Sequence, residues 1–234
     1  MKETFKKLKI HKSWFNIFTP FFKSDDIVNI KRTLLNVPFA PIEVDIFKAF
    51  SLPLSDIKVV ILGQDPYPTA GMATGLAFAV PNDKKRPPSL KKIMELIRTT
   101  VSSQPVTFDV DEPFDTTLEH LHQQGVFLLN TALTVRLGYP DSHVELWQPF
   151  INTVIKTLSE IDYLIWALWG KSAQSFIPLI NDNHAVLTAA RPMAENHNPK
   201  VLNKFSESDH FKQINELLKK NKKRIITWDE KEKR

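Results

Sequence analysis

Four short segments of this 234-residue chain carry side chains able to bind and cleave a small polar ligand. Gly63-Gln64-Asp65-Pro66-Tyr67-Pro68 offers a carboxylate, an amide and a phenol. Asn130-Thr131 offers a second amide, Gly170-Lys171-Ser172 a hydroxyl, and Arg191-Pro192-Met193 a guanidinium. A carboxylate in such a set can act as a general acid or base. An amide can read the edge of a ligand, because it presents an acceptor and a donor side by side. Taken singly, each segment also reads as a turn or a helix cap, and for Gly-Lys-Ser or Pro-Tyr-Pro alone that reading is the better one. The four together favour a site.

The elements that must gather them are legible as short apolar runs. IKVVIL (57–62), GVFLL (125–129), YLIWALW (163–169) and AVLTA (185–189) read as buried strands, and each chemical segment follows one of them. Between them lie helical patterns. VDIFKAF (44–50) spaces Ile46, Phe47 and Phe50 as a helix would. A helix is expected from Ser89, with Leu90, Ile93, Met94 and Ile97 on one face. Ser142-His143-Val144-Glu145 has the form of a capping box before a stripe of Trp147, Phe150, Ile151, Val154, Ile155 and Leu158. A last helix is expected near Ser206, burying Phe211, Ile214 and Leu218. Strands alternating with helices, without short hairpin turns, predict an α/β fold: a single-domain, three-layer α/β/α arrangement around a central four-stranded parallel sheet. Residues 1–234 read as one domain, with 1–10 and 229–234 as flexible ends. In such sheets ligands bind beyond the carboxyl ends of the strands.

Composition narrows the chemistry. There is no cysteine, which excludes disulfides, thiolate metal sites, cysteine nucleophiles and iron–sulfur clusters. His120 and His122 lack a partner carboxylate at zincin spacing, so a solvated helix face is expected and no metal or other cofactor. Gly170-Lys171-Ser172 is not a P-loop, since Ile165 stands where the first glycine belongs. Gly71 and Gly75 do not complete a dinucleotide fingerprint. A formal net charge of +5 and a pI near 9.2 suit a polyanionic partner. No apolar run is long enough for a membrane span, and no secretory leader is evident. A cytoplasmic protein is expected.

Several stretches resemble family 1 uracil-DNA glycosylases of the bacterial type. GQDPYPTAGMATGLAF (63–78) resembles that family's water-activating loop, and LLNTALTV (128–135) its uracil-recognition strand end, with Ser142-His143 following suitably. LWGKSAQ (168–174) resembles its Gly-Ser loop and RPPSLKKI (86–93) its proline-rich loop. HFKQINELLKK and IITW are similar to the tail of Gram-positive members. The likeness runs over roughly residues 10–228. It implies hydrolysis of the N-glycosidic bond of uracil in DNA, starting base excision repair. By this resemblance Asp65 positions water and stabilises the cation-like sugar, Phe78 stacks on the flipped base, and Asn130 reads its Watson–Crick edge. Tyr67 blocks the methyl of thymine, and Gln64 offers an amide to the base. Ser172 and the Pro87-Pro88-Ser89 turn grip phosphates. The implied partners are uracil-containing DNA, single- or double-stranded, and a proteinaceous glycosylase inhibitor. The protein is expected to act as a monomer, away from membranes.

The sequence departs from that family in its last motif. Where the family has His-Pro-Ser-Pro-Leu-Ser, this chain has Arg191-Pro192-Met193-Ala194-Glu195-Asn196. Arg191 thus replaces a histidine that stabilises the departing base, and Met193 is left to substitute for the wedging leucine. Pro68 replaces a second histidine and Lys171 a small residue. Three readings follow: an enzyme in which Arg191 is a buried positive charge beside the leaving uracil, a non-catalytic DNA- or protein-binding relative, or a glycosylase of altered base preference. The first is favoured, because Asp65, Tyr67, Phe78 and Asn130 are all retained.

Overall fold

The computed structural model describes residues 2–101 and 114–229. Nine α-helices are present among them: α1 (Lys2–Lys7), α2 (Phe15–Phe21), α3 (Asp25–Leu35), α4 (Pro88–Val101), α5 (Glu119–Gln123), α6 (Val144–Ser159), α7 (Lys171–Gln174), α8 (Ala194–His197) and α9 (His210–Lys220). The strands are β1 (Phe39–Ala40), β2 (Val59–Gly63), β3 (Val126–Asn130), β4 (Val135–Arg136), β5 (Ile165–Trp169) and β6 (Ala185–Ala189). The longer four form one parallel sheet in the order β3-β2-β5-β6. Each coincides with an expected apolar run to within two residues. β1 and β4 form a separate antiparallel pair, Phe39 opposite Arg136, which brings together segments too short to signal a strand on their own.

Every residue of β2, β3 and β5 is buried, as a sheet covered on both faces requires. Register shows how the faces divide. Val60 lies opposite both Phe127 and Trp166, so these three share one face. Trp169, three residues beyond Trp166, points to the other. On the first face Phe127 stacks on Trp14 at 5.3 Å and meets Phe50 at 5.6 Å, and Phe50 packs on Phe18 and Phe150. Helices α2, α3 and α6 gather there. On the second face Trp169 packs against Phe205 and Phe211, and Phe211 against Trp228. Helices α4 and α9 meet on that side.

Three local expectations are corrected. Residues 44–50 do not form one helix. They fold as two 3-10 turns, Glu43–Asp45 and Lys48–Ser51, between Pro41 and Pro53. The apolar spacing is real, but Ile46, Phe47 and Phe50 are buried in the aromatic core from two separate short turns. Ser142 does not cap α6: its Oγ accepts from the Arg136 N–H at 2.8 Å, and His143 occupies the N-cap without a side-chain bond. The last helix starts at His210 rather than near Ser206, whose N–H and hydroxyl bind the Glu195 carboxylate.

His120 and His122 are not on a solvated face. Both are buried. His120 Nδ1 lies 3.1 Å from Asp115 Oδ2 and its Nε2 lies 3.3 Å from the Trp228 carbonyl, while His122 Nε2 lies 3.0 Å from Ser51 Oγ. Among the described residues no group of acidic and histidine side chains could hold a metal, and no helix is long and apolar enough to cross a membrane. At the amino end, Phe5 of α1 is buried and stacks on Phe15 at 4.2 Å. Residues 230–234 of the expected flexible tail lie outside the described residues.

Candidate active site

Because β2, β3, β5 and β6 are parallel, the residues that follow them emerge at one edge of the sheet. Gly63 at the end of β2 lies opposite Asn130 at the end of β3. The pairing continues beyond the strands: the Thr131 N–H donates to the Gly63 carbonyl at 2.9 Å. The Ala132 N–H and the Thr131 hydroxyl donate to the Gln64 carbonyl at 2.9 and 2.8 Å. Position 63 must be glycine here. A Cβ there would fall inside the contact distance of Asn130 Oδ1 and 2.9 Å from the Ala77 Cβ.

Asp65, Tyr67, Phe78 and Asn130 line a single narrow pocket, closed on its other sides by Pro66, Ala73, Gly75, Leu76 and Ala79. Three of the four come from the loop after β2, which folds back because the Ala77 N–H donates to the Leu128 carbonyl of β3 at 3.1 Å. Phe78 takes a left-handed backbone conformation, φ 66°, uncommon for a bulky side chain. The surroundings enforce it: the Tyr67 hydroxyl donates to the Phe78 carbonyl at 3.2 Å, and the Phe78 ring packs against Trp169 at 5.7 Å. Such strain persists where the environment over-determines it, typically at functional sites.

Electrostatics distinguish the polar members. Asn130 is only 6% exposed and lines this pocket, and its side-chain amide makes no hydrogen bond to another described residue. It is not sealed off from solvent, so its donor and acceptor are open to a ligand that enters the pocket. Asp65 is half-buried, and one oxygen, Oδ2, accepts from the Asp141 N–H at 2.8 Å. Burial raises its pKa above the ordinary 3.8; the Asp141 N–H opposes this and the Asp141 charge adds to it. Tyr67 is held by Ser89, whose Oγ lies 2.9 Å from the phenol oxygen. Burial pushes the phenol up to about 12, so it is neutral across the physiological range.

The remaining expected residues stand around the pocket rather than in it. Gln64 is exposed, and its side-chain amide donates to Asp141 Oδ1, not into the pocket. Arg191 follows β6, and its Cβ lies 3.1 Å from where a Cβ on Gly170 would be, so the third and fourth segments do meet. Arg191 is exposed, which corrects the expectation of a buried charge: it lies two residues past the end of β6, in the loop before α8. Ser172 in α7 and Met193 at the start of α8 are half-buried. Pro88 opens α4 with Pro87 just before it, and Ser89 spends its hydroxyl on Tyr67. Burial pushes the Glu195 carboxylate up, but bonds from the Ser206 N–H and hydroxyl outweigh this and hold its pKa below the ordinary value.

Sequence reasoning missed Asp141, which touches both Gln64 and Asp65. The available signal was an Asp-Ser turn just before α6, masked because Ser142 resembled a helix cap.

Comparison with known proteins accords with this geometry. A model of the uracil DNA glycosylase superfamily matches residues 51–219. The uracil-DNA glycosylase of Campylobacter concisus is 36% identical over 230 residues, covering 95% of each chain. That of Aliarcobacter butzleri is 41% identical over 192 residues, covering 80% of this chain and 85% of the relative. Among solved structures, mimivirus uracil-DNA glycosylase superposes with a TM-score of 0.81 at 27% identity, over 95% of this chain and 88% of that one. A variant of the mimivirus protein in complex with UGI gives 0.82 at 27% identity, over 95% and 90%. With residues 51–219 matched by the family model and most of the chain aligned with uracil-DNA glycosylases in sequence and in space, the protein belongs to the uracil-DNA glycosylase superfamily.

Proposed function

We propose that this protein hydrolyses the bond between uracil and deoxyribose in DNA, leaving an abasic site for base excision repair. The observation that carries this is the Asn130 amide, open to the same pocket as the Asp65 carboxylate. A base inside a duplex cannot reach such a pocket, so the target nucleotide must be flipped out of the stack. Asn130 then accepts from uracil N3–H and donates to O4. Cytosine presents the reverse pattern and would leave buried polar groups unmatched, at about 1–3 kcal/mol each. A site built on hydrogen bonds rejects a mismatched ligand strongly for this reason.

Phe78 stacks on the base. Tyr67, held from behind by Ser89, fills the space beside C5 and excludes a methyl group. Asp65 orients the attacking water with the oxygen that Asp141 leaves free, and its charge stabilises the cation-like sugar. Arg191 supplies positive charge from the rim toward the departing base, its long side chain reaching in from an exposed position. Ser172, Met193 and the Pro87-Pro88-Ser89 turn contact the DNA backbone, which positions the strand without reading sequence. Gln64 contributes its backbone, since its side chain is engaged. No cofactor enters these steps.

The protein works in this reading as a single domain and a monomer in the cytoplasm. A proteinaceous glycosylase inhibitor is a further expected partner, since a variant of the mimivirus relative was solved in complex with UGI. The direct experiment incubates purified protein with single- and double-stranded oligonucleotides that contain one uracil, and detects abasic sites by alkaline cleavage. Strand breaks at the uracil position alone are expected. Binding without breaks would replace the enzyme by a binding module, and breaks at another base would reassign the specificity.

A further inference from the structure

We propose that Asp141 is a positioning residue for this active site, clamping the Asp65 carboxylate with its backbone and the Gln64 side chain with its carboxylate. The inference rests on the glycosylase reading for its kinetic consequences, but the geometry stands alone. Asp141 lies between β4 and α6, far in sequence from the loop after β2. Its N–H donates to Asp65 Oδ2 at 2.8 Å. Its Oδ1 accepts from the Gln64 side-chain amide. One residue therefore ties two consecutive residues of the catalytic loop to the opposite lip of the pocket.

The backbone is arranged for this. Asp141 has φ 63°, a left-handed conformation that Asp tolerates better than most residues and that turns its N–H toward Asp65. The flanking chain is anchored. The Gly138 N–H donates to the Pro68 carbonyl at 2.9 Å, and Ser142 Oγ accepts from the Arg136 N–H. Two consequences follow. Asp65 keeps a single orientation, with one oxygen bound and the other turned to water. Gln64 is held outside the pocket, which leaves the base edge to Asn130.

The clamp places a second carboxylate beside the catalytic one. The groups facing Asp65 are Asp141 from this loop, Tyr67 from its own loop and Asn130 from β3; the last two are neutral. Arg136 and His143 are directed elsewhere, Arg136 over the Tyr139 ring at 4.3 Å and His143 Nδ1 toward Thr134 Oγ1 at 2.9 Å. Among the described residues Asp141 is the charged group that acts on Asp65 from this side of the pocket, and like charge disfavours ionisation of Asp65.

Two variants separate clamp from charge. Asp141→Asn keeps the N–H and an acceptor for Gln64 but removes the charge. Asp141→Gly keeps the N–H and suits the left-handed backbone but loses the acceptor and loosens the loop. The glycine variant is expected to lose about tenfold in kcat with KM nearly unchanged, because Asp65 is less often aligned. The asparagine variant is expected to retain kcat at neutral pH and to move the acid limb of kcat to lower pH. Carbon-13 NMR of the aspartate carboxyls, with the Asp65 signal assigned from its absence in Asp65→Asn, reads the same charge effect without activity. A lower Asp65 midpoint in Asp141→Asn is expected. An unchanged midpoint, or a glycine variant with wild-type kcat, would overturn the proposal. If the wild-type protein releases no uracil, the functional reading fails while the NMR comparison still decides whether Asp141 acts on Asp65.

Discussion

Asp65 and Asn130 illustrate how burial assigns different work to two polar side chains in one pocket. Asp65 is a partly desolvated acid whose charged form is penalised by its surroundings, and the proposed chemistry needs that form. Activity should therefore fall toward acid pH with a midpoint above the ordinary carboxylate value of 3.8, as the protonated acid can no longer orient water or face a cation. A kcat–pH profile checks this. Asp65→Asn keeps the shape and the bond from Asp141 but removes charge and basicity. It should lower kcat by about 10²–10⁴-fold with KM little affected, the range for a lost general base. Asn130 acts by pattern, not charge. Asn130→Asp exchanges a donor for an acceptor facing the 4-position, which suits the amino group of cytosine. The variant should release cytosine from oligonucleotides that lack uracil, at a rate the wild type does not show, and should lose uracil release. Abasic-site detection on the two substrates measures both.

At the scale of elements, the site depends on how closely β2 and β3 approach at their ends. Gly63→Ala should displace Asn130, because the added methyl meets its Oδ1 and the Ala77 Cβ together. Overpacking of this kind costs about 1–3 kcal/mol. Urea unfolding should show that loss, and uracil release should fall more than stability does, since the displaced side chain is the base reader. The strands around this position were legible in the sequence because buried parallel strands read as unbroken apolar runs, and position on a parallel sheet then puts Asp65, Asn130, Ser172 and Arg191 at one edge. What was not legible depended on distant partners. Residues 44–50 have helical spacing, but they fold as two short turns whose apolar side chains pack into the aromatic core. Ser142 fits a capping box, yet the Arg136 N–H takes it first. Asp141 carries no motif, since its role is defined only when the loop after β4 meets the loop after β2. Arg191 read as a buried substitute for a histidine, and only its place in the loop between β6 and α8 shows it exposed.

Across the whole molecule, buried histidines set a limit on acid stability that the surface charge does not reveal. His122 is 7% exposed, behind the Lys48–Glu119 ion pair, and its Nε2 meets Ser51. Burial, assisted by the Lys48 charge, holds its pKa down to about 4 against an ordinary 6.5. The unfolded ring therefore takes up a proton before the folded one as pH falls. Stability contributed by the neutral ring is fully present above about 6.5 and is lost as pH drops through 4. A shift of this size corresponds to on the order of 3 kcal/mol, a large fraction of the net stability of a small domain. His143 and His210 are displaced in the same direction, first by burial, and steepen the loss. Asp115 extends it further into acid: burial raises its pKa, but hydrogen bonds from His120 and Thr117 outweigh this and hold it well below the usual carboxylate range. His122→Gln keeps a polar partner for Ser51 and removes the titrating ring. Urea unfolding at pH 7, 5.5 and 4.5 should show the wild type weakening steadily and the variant weakening much less between pH 6.5 and 4. Parallel curves for the two proteins would assign the acid sensitivity to other groups. Since Asp65 must also be ionised for catalysis, activity and fold should fail toward acid together, and only the His122→Gln variant separates them.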